Sequence, residues 1–221
     1  MERILATHTG SGFVRFTGRA ELDGRDLTQL AAYQRARLGL ARTWQNTDLF
    51  DDLEVGENVA VAAAGPLHAP GREPDGATDA APGRVLDLVD LGWASDAMPD
   101  QLSEGARKLV GVARALAGRP HLLCLDEPAA GLDARESEEL GRTLRELADR
   151  GQSTLLIDHD MGLVLSICDR VVVLEFGRVI ADGPPEVVRQ DERVIAAYLG
   201  GGAELVASEA ESSTGGTHES P

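Results

Sequence analysis

Apolar residues recur at helical spacing through the second half of the chain, and short all-apolar runs interrupt them. Ala106, Leu109, Val110, Ala113, Leu116 and Ala117 fall on one helical face, and Gly118-Arg119-Pro120 ends that helix. Leu122 to Leu125 is a continuous apolar run, the pattern of a strand covered on both faces. A second helix is predicted from Ala134 to Arg150, with Leu140, Leu144, Leu147 and Ala148 on one side and Gly151 as its stop. Thr154 to Ile157 and Val171 to Leu174 are two more runs of the buried-strand type, with a helical segment between them. Such alternation predicts an α/β fold, a parallel sheet with helices packed on its faces.

The first half is less regular. Ala20 to Leu22 reads as a short strand turned by Asp23-Gly24, Leu27 to Leu38 as a helix stopped by Gly39, and Leu40 to Trp44 as an extended segment. Leu53 to Ala64 and Arg84 to Leu91 are helical in pattern. The Pro- and Gly-rich stretch between them, Gly65 to Gly83, is expected to be an exposed, mobile loop. From these patterns we expect four segments: an N-terminal lobe over 1–49, a small helical subdomain over 50–101, a core over 102–200 and a tail over 201–221. That tail carries four glutamates, no Lys or Arg, and many Ser, Thr and Gly, so disorder is expected there.

Charge narrows the partners. Asp and Glu number 37 against 21 Lys and Arg, a net charge of −16. That balance repels phosphate backbones, so no nucleic acid is expected as partner. All the basic residues but one are arginine; the single lysine is Lys108. Cys124 and Cys168 each lie in an apolar stretch and read as reduced, buried thiols of a cytosolic protein. No apolar run reaches the roughly 18 residues of a membrane span. A role at a membrane is therefore expected to come through a partner.

The strongest local signal is Leu122-Leu123-Cys124-Leu125-Asp126-Glu127-Pro128, a buried strand followed by two carboxylates. Ligands bind at that end of parallel strands. An Asp there can hold Mg²⁺, and a neighbouring Glu can polarise a water for attack on phosphorus; equally, the two acids can simply end a strand at the surface. Gly131-Leu132-Asp133 precedes a helix, where Asp133 with Glu136 fits a capping box. Ser103, in Leu102-Ser103-Glu104-Gly105-Ala106, is an ordinary N-cap, yet a hydroxyl and a Gly105 amide at a helix start also suit phosphate. His159 follows a strand between Asp158 and Asp160, and Gln45 follows Leu40 to Trp44; each alone is an ordinary surface residue.

Their order carries more than the parts. Gln45, a Ser-x-Gly helix start, strand-Asp-Glu-Pro, Gly-Leu-Asp and strand-Asp-His together resemble the Q-loop, signature, Walker B, D-loop and H-loop of an ABC-type ATPase. Leu38 to Asn46, Glu127 to Leu132, His159-Asp160-Met161, Gly183 to Val188 and Val194 to Gly200 resemble one branch of that family. It is the ATP-binding subunits of branched-chain amino-acid importers, to which urea and short-chain amide importers are similar.

The resemblance implies a P-loop NTPase-like sheet with an inserted helical subdomain, ATP and Mg²⁺ as ligands, and a role on the inner face of the cell membrane. Its partners would be a second ABC ATPase subunit, the same or different, and transmembrane permease subunits. It implies that Asp126 helps coordinate Mg²⁺, that Glu127 activates water, and that His159 contacts the γ-phosphate. Gln45 would sense Mg²⁺ and the permease. Ser103 and Gly105 would bind ATP held by the opposite subunit, and Asp133 would couple the two sites.

The chain departs from the family at one decisive place. Nowhere does it read G-x-x-x-x-G-K-[ST], because Lys108 follows the signature and no lysine follows Gly10, Gly12 or Gly18. Thr9 to Asp26 resembles the segment just after the family's P-loop helix, so a strand and that helix are expected to lie before Met1. Ala106 also stands where the family usually has Gln. Two alternatives stay open: a non-hydrolytic subunit lending its signature helix and Asp133 to a partner's ATP, and a soluble ABC protein outside transport.

Overall fold

The computed structural model describes residues 18–43, 48–63 and 81–199. Gln45, most of the Pro/Gly-rich loop and the acidic tail lie outside them. By its contacts the chain divides into two compact units, residues 1–160 and 161–221.

The first unit opens with β1 (Glu21–Leu22) and β2 (Arg25–Asp26), an antiparallel pair in which Glu21 faces Asp26. Asp23 and Gly24 both take positive φ, 49° and 76°, which is what a two-residue hairpin turn of matching twist requires. Helix α1 (Ala32–Arg37) is shorter than the Leu27 to Leu38 pattern predicts. The residues before it are committed elsewhere: Leu27 N–H bonds Ala20 O, Thr28 Oγ1 accepts from Ala20 N–H, and Thr28 N–H bonds Asp26 Oδ1. Leu27 itself is fully buried, so its apolar signal comes from the core and not from a helix face.

Gly39 ends α1 with φ 90°, and its carbonyl accepts the amides of His121 and Leu122. That contact sets the register of β3 (Leu40–Arg42) beside β4 (Leu122–Asp126), Leu40 opposite Leu122. β5 (Ser153–Ile157) lies on the other side of β4, giving a parallel sheet of order β3-β4-β5. Leu123 and Leu125 of β4 are buried, as a central strand requires.

Helices α2 (Val55–Ala63), α3 (Pro82–Asp87) and α4 (Glu104–Ala117) pack together, joined by 3₁₀ turns at Gly92–Ala94 and Pro99–Gln101. α3 begins at Pro82, inside the stretch expected to be loop as far as Gly83. Proline's fixed φ suits a helix's first turn, so the ring that reads as a loop signal starts the helix instead. Val55, Val59, Leu86, Val110 and Val112 form the core of this group. Each such fully buried side chain contributes about 1.5–3 kcal/mol. α5 (Ala134–Asp149) follows β4, with Leu140, Leu144 and Leu147 inward.

The second unit holds α6 (Met161–Ile167), β6 (Val171–Glu175), β7 (Arg178–Gly183), α7 (Pro185–Val188) and α8 (Glu192–Leu199). Here the sequence reading needs correction. Val171 to Leu174 does not join the parallel sheet but pairs antiparallel with β7. The strand alternates as a one-sided strand does, with Val171 and Val173 buried and Leu174 turned outward, and a register irregularity lies between Val173 and Leu174. A run of four apolar residues thus marks a one-sided hairpin strand. β7 was not foreseen, since Asp182 and Gly183 obscure its pattern.

Candidate functional site

Asp126 is the last residue of β4 and pairs with Ile157, the last of β5. Its carboxylate is half-buried, and Oδ2 accepts from Arg42 Nη2 at 2.6 Å. Arg42 ends β3 opposite Cys124, so parallel pairing brings the cation to the carboxylate two residues on. Apolar periodicity does not single out Arg42 in the sequence. Its detectable signal was a charge ending an otherwise apolar strand.

Glu127 leaves the strand with φ 47°, in the left-handed region that side-chain-bearing residues rarely adopt. Its amide is held by Ile157 O at 2.7 Å, and its carbonyl accepts Ala130 N–H as the chain turns. The turn projects Glu127 beside the end of β5, where His159 Nδ1 lies 3.9 Å from Glu127 Oε1. That separation is an approach without a direct hydrogen bond. His159 is largely open, its side chain 74% exposed, and also lies 3.6 Å from Asp158 Oδ1.

Asp158 is the brace that the sequence reading passed over. Its side chain is 1% exposed. One oxygen accepts Ala129 N–H at 3.3 Å and the other Asp160 N–H at 3.0 Å. A buried carboxylate thereby ties the turn after Glu127 to the segment carrying His159. The adjacent Asp126 and Glu127 thus meet His159, a helix and a strand further along the chain, at one end of the sheet.

A second cluster forms at the starts of α4 and α5. Ser103 caps α4, its Oγ accepting Ala106 N–H at 3.3 Å. Asp133 caps α5 as the spacing predicts, accepting Glu136 N–H at 2.8 Å, while Glu136 Oε2 accepts Asp133 N–H at 3.4 Å. Glu136 does more than close this box, because its Oε1 accepts Gly105 N–H at 3.2 Å. The Ser103 hydroxyl, followed by that amide, holds the Glu136 carboxyl below its usual pKa. Gly105 is confined by the same contact: an added Cβ would lie 3.2 Å from Glu136 Cβ and Oε1. Ser103, Gly105 and Asp133 are therefore gathered around one carboxylate. Gln45 lies outside the described residues. The segment just after it is anchored by Arg114, which donates to Asp48 O at 2.6 Å and stacks over Phe50 at 5.1 Å.

Arg42 occupies one oxygen of Asp126. Among the described residues no group of three or more His, Cys, Asp or Glu side chains forms a ready-made metal site, so a cation here would have to take most of its ligands from phosphate and water. Mg²⁺ is typically held by one or two carboxylates together with phosphate oxygens and water, and Asp126 offers such an oxygen.

Comparison with known proteins gives the family and the fold. The sequence model described as "ABC transporter" matches residues 9–130. BraF of Pseudomonas aeruginosa, a high-affinity branched-chain amino acid transport ATP-binding protein, is 36% identical over 202 residues, spanning 86% of this chain and 79% of the relative. The chain belongs to the ABC transporter family. A second model, "Branched-chain amino acid ATP-binding cassette transporter", matches residues 178–204 and narrows the branch. LptB of Haemophilus influenzae, a lipopolysaccharide export system ATP-binding protein, is 32% identical over 83% of this chain and 74% of its own. Among solved structures, the ADP conformation of MJ1267, an ATP-binding cassette of an ABC transporter, superposes with a TM-score of 0.70. It is 26% identical and covers 83% of this chain and 77% of that one. The α/β architecture is that of an ABC ATPase cassette. Among the described residues, no helix is long and apolar enough to cross a membrane.

Proposed function

We propose that this chain is the ATP-hydrolysing subunit of an ABC importer for branched-chain amino acids or related amides. The observation that carries the reading is the meeting of Asp126, Glu127 and His159 at the C-terminal end of β4 and β5. The names of the relatives support the substrate class. Asp126 and Gln45 would hold Mg²⁺, which when bound neutralises charge on the phosphates. Glu127 takes the proton from the attacking water, and its strained turn keeps the carboxylate fixed at the sheet's mouth. His159 donates toward the terminal phosphate. Ser103 and Gly105 act on nucleotide held by a second ATPase subunit, and Asp133 links the two sites. Residues 50–101 form the helical subdomain, 102–200 the catalytic core, and permease subunits bring the pair to the membrane.

The phosphates of ATP need a G-x-x-x-x-G-K-[ST] cradle, which residues 1–221 do not contain. The test therefore joins a relative's strand and phosphate-binding loop to the N-terminus of this chain, so that ATP meets Glu127, and assembles the product with permeases in vesicles. Glu127→Gln is expected to lower ATP hydrolysis and solute uptake by about 10²-fold or more, while the complex still forms. Hydrolysis and uptake unchanged in that variant would refute the assignment.

A further inference from the structure

Arg42 ends β3 and sets its guanidinium on the Asp126 carboxylate, Nη2 against Oδ2 at 2.6 Å. Among the described residues, Arg42 is the one partner of that carboxylate. The two side chains are 26% and 27% exposed, so solvent and salt screen this pair less than they would a surface one. The guanidinium's field also reaches Cys124: burial pushes that thiol up, and Arg42 opposes the push.

The backbone of Arg42 is pinned beside β4. Arg42 sits opposite Cys124 in the register, and Thr43 N–H donates to Cys124 O at 2.9 Å. A guanidinium keeps its proton at every working pH, so its charge stays wherever the side chain goes. Freeing Asp126 from Arg42 therefore takes a rotation of the arginine side chain. Until that rotation, a bare divalent cation approaching Asp126 meets a positive charge already in contact with the carboxylate. Nothing nearby compensates, since no group of three or more His, Cys, Asp or Glu side chains gathers among the described residues.

We infer that Arg42 is a built-in counter-ion of Asp126, which keeps the carboxylate from bare divalent cations until its side chain swings away. A cation arriving with phosphate oxygens brings negative charge that offsets the repulsion, and the freed guanidinium has those oxygens to turn to. The pair thereby favours metal carried on an anionic ligand over metal alone. That a metal comes to Asp126 rests on the proposed function; the hold of Arg42 on the carboxylate does not.

The test uses Mn²⁺ alone as probe, with the free ion measured by electron paramagnetic resonance and no nucleotide present. A net charge of −16 gathers cations diffusely, so each protein is compared with its Asp126→Asn counterpart and the difference counts the site. Arg42→Met is expected to show Asp126-dependent binding at about tenfold lower Mn²⁺ than the parent needs, because a competing charge has gone. Arg42→Gln keeps a hydrogen-bond donor and drops the charge; it is expected to do the same, and it carries the test should the methionine variant not fold. Equal Asp126-dependent binding in parent and variants overturns the inference and leaves the metal role of Asp126 standing. Absence of Asp126-dependent binding from every background overturns it too, and counts against that role.

Discussion

Asn58 offers the sharpest test of how the helical group is held. It is fully buried on α2, and its side chain faces the turn from Phe50 to Glu54 that leads into that helix. Oδ1 accepts Phe50 N–H at 2.8 Å, while Nδ2 lies 3.0 Å from both Phe50 O and Leu53 O and 3.1 Å from Glu54 O. One N–H beside the oxygen and three carbonyls beside the nitrogen fix the amide's orientation. Nδ2 has only two hydrogens, so the side chain makes at most three full bonds at once. At about 1 kcal/mol net for each, Asn58→Ala is expected to cost about 2–3 kcal/mol, because Phe50 is exposed enough for water to replace part of the loss. In Asn58→Asp the shape is kept, but a carboxylate without donors faces three carbonyls in a buried place. That variant should cost more than the alanine, at least about 3 kcal/mol. Urea unfolding measures both through the midpoint, provided the slope is unchanged. On heating, 2–3 kcal/mol in a chain of this size corresponds to a fall of about 4–12 °C. Asn58→Asp within about 0.5 kcal/mol of the parent would refute this account of the turn.

Further outcomes follow from single contacts. Gly39→Ala forces a side chain into φ 90° and places its Cβ 3.0 Å from the His121 ring, so a loss of about 2–3 kcal/mol is expected in the same urea assay. A parent-like midpoint would show that the β3 register does not depend on this approach. Burial pushes the Cys124 thiol up to about 11, against a smaller opposing pull from Arg42. The thiolate is therefore scarce at pH 8, and alkylation of the native chain at Cys124, read by mass spectrometry, should accelerate about tenfold per pH unit toward pH 11. Alkylation at pH 8 as fast as in urea would contradict that burial.

The strands and helices that bury one consistent face were legible in the sequence. α4, α5, β4 and β5 fall within one or two residues of their patterns, because each repeats its period for long enough. The failures have separate causes. Leu27 belongs to the core through a turn, and Leu174 is the outward-facing apolar residue of a one-sided strand, so an all-apolar run read as covered on both faces. At the site, the carboxylates could be read because chain order alone brings them to the strand ends. What could not be read was the bracing. Arg42 against Asp126, Asp158 under the Glu127 turn and Glu136 across to Gly105 join partners 84, 29 and 31 residues apart, and the separations carry no local signal.

Glu127 occupies backbone space that a glycine would enter freely, and an ordinary residue pays about 1–2 kcal/mol to stay there. The fold would be more comfortable without that side chain. Screening variants for thermal robustness alone should therefore favour glycine at this position, and under the proposed role of Glu127 it would drift toward molecules that are sturdier and inert. On that proposal, robustness and turnover pull in opposite directions at this one φ angle.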